Sequence, residues 1–97
     1  MSEIPEHKAL ADELRAILDA APYPSLDALK GRVSSARAQY SHGFNPGYEQ
    51  EILHRACQSV EKVLTKRGCT DEAKRSWALG DISRVMNLKG FRNQGNA

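Results

Sequence analysis

The chain has 97 residues, 40% hydrophobic and 27% charged, with a formal net charge of +2. That length supports one small domain with a modest core, and no apolar run approaches the roughly 20 residues that carry a helix across a bilayer. The opening MSEIPEHKAL is acidic and has neither the basic nor the apolar region of an export signal, so a cytoplasmic location without a membrane partner is the expectation.

Caps and apolar spacing predict four helical segments that end at about Leu88. In the first, Ser2 is a cap and Pro5 stands in the opening turn, while Leu10, Leu14, Ile17, Leu18 and Ala21 share one stripe that ends at the PYP run of residues 22–24. Ser25 caps a second helix, in which Leu26, Leu29, Val33, Ala36 and Tyr40 repeat at coiled-coil spacing. A third helix opens after Asn45-Pro46, carries Ile52, Leu53, Ala56, Val60, Val63 and Leu64, and closes at Gly68. Thr70, Asp71 and Glu72 suit the positive end of a fourth, which runs through Trp77, Ala78, Ile82, Val85 and Met86 to about Leu88.

No interval alternates with period two, and the connections are short. The expectation is therefore an all-α fold: a small antiparallel bundle of three or four helices over residues 1–88, followed by a flexible basic tail at residues 89–97.

Between the second and third helices lies YSHGFNPGY, residues 40–48, with three of the chain's aromatics in nine residues. Gly43 in the left-handed conformation would stop one helix, Asn45-Pro46 would start the next, and Phe44 would fold back onto the last turn, so much of the stretch has a structural reading. The functional reading takes Phe44 and Tyr48 as aromatic anchors rimmed by His42 and Asn45, because Trp, Tyr and Arg dominate the energetics of protein interfaces. Trp77, the single tryptophan, is expected as a core anchor of the fourth helix; exposed instead, it would join Tyr48 or Phe91 in such a surface.

Catalytic and metal chemistry find little footing. Cys57 and Cys69 form no disulfide framework and no Cys-x-x-Cys pair, and Cys57 falls one turn from Leu53 and from Val60, where a thiol packs as a small apolar group. His42, His54 and the two cysteines lack the spacing of a zinc site, and phosphate loops and paired-carboxylate motifs are absent. The expectation is a protein that is no enzyme and has no cofactor and no metal.

Charge is uneven along the chain. Residues 1–49 carry five basic and seven acidic side chains, residues 50–97 nine basic and five acidic. Lys62, Lys66, Arg67, Lys74 and Arg75 gather about the third connection, and Lys89 and Arg92 flank Phe91 beyond the last helix. Such a region offers phosphate several cations and an aromatic for stacking, although carboxylates lie close by. Two functions follow as expectations. The first is a protein-binding module acting as an adaptor, regulatory subunit or inhibitor of a larger assembly; the second is nucleic-acid binding through the basic last third. A second copy of the chain is a further candidate partner, since a small core gains from association.

Overall fold

Pro5 begins the first helix at the position where a missing backbone N–H is harmless, and apolar steps of three and four carry it through Pro5–Leu18, here α1. The computed structural model describes residues 5–19 and 25–88. Ser2, Ala21, the PYP run and the predicted tail with Lys89, Phe91 and Arg92 lie outside the described residues. The other helices are α2 (Leu26–Tyr40), α3 (Tyr48–Val63) and α4 (Glu72–Met86), with a short 3-10 turn at Ser41–Gly43 between α2 and α3. Among the described residues there is no strand, only an isolated bridge between Thr65 and Gly68.

The four helices run alternately up and down. Glu13 of α1 pairs with Arg32 of α2 at 2.6 Å, Ser59 of α3 meets the carboxylate of Asp81 on α4, and the Cys69 N–H donates to Leu18 O where the last connection passes the end of α1. The α3–α4 contact is the most extensive, α1 packs on both α2 and α4, and α2 and α4 stand on a diagonal with no extensive contact. Leu10, Leu14 and Ile17 of α1, Leu29 and Val33 of α2, Leu53 and Val60 of α3, and Ile82 and Val85 of α4 fill one core at 0 to 1% exposure.

Two caps agree with the sequence. Ser25 Oγ accepts from Ala28 N–H at the start of α2, and the Asp71 carboxylate accepts from Lys74 N–H at the start of α4. The ends of α3 differ from expectation. It begins at Tyr48, behind Gly47 at φ 82°, because the chain needs a left-handed residue after Asn45-Pro46 before it can enter the helix. It ends at Val63, and Gly68, at φ 92°, serves a tight turn in which Thr65 and Gly68 exchange backbone hydrogen bonds of 2.8 and 2.9 Å. Gly43 is not left-handed; its constraint is steric, since a Cβ there would collide with Cβ and Cγ of Glu6.

Candidate protein-binding face

The stretch with the most suggestive composition turns out to be a clasp. Phe44 is 2% exposed and lies against the His7 ring, with centroids 4.2 Å apart. Its expected place as an exposed anchor is thus corrected: once Ser41–Gly43 turns back toward α1, the ring points into the core. The His7 Nε2–H donates to Gly43 O at 3.0 Å, which assigns the proton to that nitrogen of the buried ring. Gln50 donates from Nε2 to both Ser41 O and Phe44 O. Asn45 serves through its backbone, its N–H donating to the Glu49 carboxylate at 3.0 Å and its carbonyl accepting from Gln50 N–H. His42 projects outward and its Nε2 sits 3.2 Å from the Glu6 carboxylate, so it braces the turn to α1 from outside. Of the four residues expected there as binding groups, Tyr48 is the one whose large apolar side chain stands clear, at 72% exposure.

Among the described residues the other exposed aromatic is Trp77, at 51%. Its expected place in the core is corrected by one residue of helical rotation: Ala78 faces inward at 0% exposure, and the preceding side chain is turned about 100° away. Ala78, Ile82 and Val85 make the inner stripe of α4. Parallel to it, Ala73, Trp77, Gly80, Arg84 and Asn87 recur at steps of four, three, four and three, and all five are exposed. Arg84, Asn87 and Leu88 meet Tyr48, Glu49 and Ile52 in a shallow groove of about 520 Å³ between α3 and α4. Trp77 shares Arg84's edge of α4, two turns away, so both aromatics border the same α3–α4 face. Leu88, which lines the groove of Tyr48, stands about 16 Å along α4 from Trp77. They mark two ends of one face and do not form the single cluster expected of an exposed Trp77 and Tyr48.

The basic residues of the third connection are brought together, but in company. Lys62, Lys66, Arg67 and Lys74 are exposed, while Arg75 is half-buried and its guanidinium pairs with the Asp19 carboxylate. Glu61, Asp71 and Glu72 stand on the same stretch of chain. Among the described residues 50–88, seven basic side chains face five acidic ones, so much of the excess of the second half belongs to residues beyond 88.

The thiols are inward. Cys57 is buried on α3, and that burial pushes its thiol up to about 11, with Glu61 adding to the rise and Arg37 opposing it. Cys69 is also buried, and its Sγ lies 3.7 Å from Asp71 O, to which it donates. Among the described residues no three His, Cys, Asp or Glu side chains converge as metal ligands would, and no helix is long and apolar enough to cross a membrane.

Arg84 and Gly80 are not among the residues that the sequence marks for partner binding. The signal was there, in the second row of heptad spacing beside the Ala78, Ile82 and Val85 stripe, but such a row gains meaning only when one of the two is known to face outward. Compared with protein-family models, with curated proteins and with solved structures, the chain matches none of them.

Proposed function

We propose that the chain is a non-catalytic protein-binding module, an adaptor, regulatory subunit or inhibitor of a larger assembly, and that its contact face is the α3–α4 edge from Tyr48 to Trp77. The observation that carries this reading is the exposure of those two aromatics where, among the described residues, the other large apolar side chains are buried or packed against the core. Tyr and Trp offer large rigid contact areas at small cost in side-chain entropy. The shallow groove beside Tyr48 accepts an apolar side chain between Ile52 and Leu88, with Arg84 at its rim for a carboxylate.

A second reading, nucleic-acid binding, draws on the exposed Lys62, Lys66, Arg67 and Lys74. Carboxylates interleaved with these cations reduce what a phosphate backbone would gain there, so protein binding is the preferred reading. Photo-crosslinking separates the two. With p-benzoylphenylalanine replacing Tyr48 in the full chain, expressed in its own cells, the expected product is an adduct to another protein that protease removes and nuclease does not. The same group at Ser34, exposed on α2, serves as the control and should give no such adduct. A nuclease-sensitive adduct, or equal products from both positions, would overturn the proposal.

A further inference from the structure

Two helices of the bundle carry a glycine without an internal reason for it. A Cβ added at Gly31 of α2 or Gly80 of α4 meets nothing within 4 Å, and neither residue has a positive φ. Each therefore costs its helix about 1 kcal/mol against alanine without relieving a clash or a strained backbone inside the chain. Their surroundings differ. Near Gly31 the surface offers Ala28, Ser35 and the Arg32–Glu13 ion pair. Gly80 lies midway along the exposed row of α4, with Trp77 one turn before it and Arg84 one turn after. Ser76 and Ser83 are exposed beside the row, and the carboxylate of Asp81, next to Gly80, accepts from Ser59 of α3 with one oxygen and stands 4.0 Å from the Arg84 guanidinium with the other. The middle of this face thus combines an aromatic, one guanidinium and small side chains, the composition of an interface centre, where Trp and Arg are enriched and other charges depleted.

We infer that a second copy of the chain docks on this face, α4 against α4, antiparallel and crossing at Gly80. The order of residues selects that occupant. Trp77 and Arg84 stand on opposite sides of Gly80 at nearly equal distance, so the two-fold axis of an antiparallel pair sets Trp77 against the second copy's Arg84 and Arg84 against the second copy's Trp77. A guanidinium over an indole face is a favourable pairing, and an isologous interface makes it twice. A parallel pair would instead bring the two Arg84 guanidinium groups together. The absence of a side chain at Gly80 lets the helices approach at the crossing. This inference rests on reading the α3–α4 face as protein-binding, and it leaves Tyr48 outside the crossing, so the dimer presents one Tyr48 groove at each far end.

Sedimentation equilibrium of the full chain, from micromolar to submillimolar concentration, tests the inference. Wild type should approach twice the chain mass, and its tryptophan emission should shift to the blue as Trp77 is covered. Gly80→Leu and Trp77→Ala should remain monomeric across the same range, with unchanged helical circular dichroism. Gly31→Leu, which puts the same bulk on α2, should dimerise like wild type. Arg84→Glu should weaken the dimer at least tenfold. A wild-type chain that stays monomeric throughout, or a Gly80→Leu chain that still dimerises, would refute the inference. Tyr48→Ala, with the photo-crosslinking residue moved to Asn87, exposed on the same groove, keeps the two readings apart: it should dimerise normally while losing the protein adduct, so the dimer and the partner fail independently.

Discussion

The connection at residues 40–48 and the outward row of α4 exchange the roles their compositions suggest. The connection is rich in aromatics and holds a histidine, yet Phe44 is buried and Gly43, Asn45 and Gln50 are tied down by hydrogen bonds to α1, α3 and the turn itself. The α4 row contains alanine, glycine and asparagine around one tryptophan, and its side chains remain at the surface. An aromatic in a loop is held inward when the loop must satisfy its own backbone against a neighbouring helix. Trp77 falls one position off the inner stripe of α4 and stays half-exposed despite its hydrophobicity.

That contrast can be broken by mutation, and the largest effect belongs to the clasp. Phe44→Ala should destabilise the fold by about 3 to 5 kcal/mol in a denaturant titration, the usual cost of emptying a buried aromatic site, whereas Trp77→Ala, measured where the chain is monomeric, should stay within about 0.5 kcal/mol of wild type. Equal losses would mean that Trp77 supports the core and that the contrast is false. Cys57 supplies an intermediate effect with a definite pH window. Because burial raises its thiol from 9.0 to about 11, the unfolded chain releases this proton first as pH rises. Stability should therefore fall between those pH values, by on the order of 3 kcal/mol. A Cys57→Ala chain, followed by the same titration, should lack that part of the decline. The two glycines sharpen the contrast further, Gly80 with the smallest effect. Gly43→Ala should cost about 1 to 3 kcal/mol because its methyl overlaps Glu6, while Gly80→Ala should stabilise the monomer by about 0.5 to 1 kcal/mol through helix propensity.

Much of the fold was legible because the core stripes of α1 and α3 are unambiguous: Leu10, Leu14, Ile17 and Leu18, and then Ile52, Leu53, Ala56 and Val60, are all buried as their spacing predicts. At the helix ends the sequence was less decisive. Asn45-Pro46 has the form of a helix start, but the chain makes one further turn through Gly47, with the Asn45 N–H bonded locally to the Glu49 carboxylate of the helix that follows. On α2, Leu26 and Tyr40 belong to the predicted seam but are only partly buried, since they lie at its two ends where neighbouring helices cover them less. The candidate face was less legible than the fold. Trp77 lies beside the inner stripe of α4, and a helix with small, weakly polar residues on its outer side gives little contrast by which to orient it. Packing against α3 settles the rotation, and with it the exposure of Trp77, Gly80 and Arg84.

The α1–α4 contact has a consequence for synthesis on the ribosome. α1 shares an extensive boundary with α4, and Leu18 O and Asp19 await the Cys69 N–H and Arg75, more than fifty positions later in the chain. As the polypeptide emerges, α1 and α2 can pair first, but part of the apolar side of α1 stays uncovered until α4 arrives. A chain cut before residue 72 would lack α4 and leave apolar sides of α1 and α3 uncovered, a surface of the kind that hydrophobic-surface chaperones recognise.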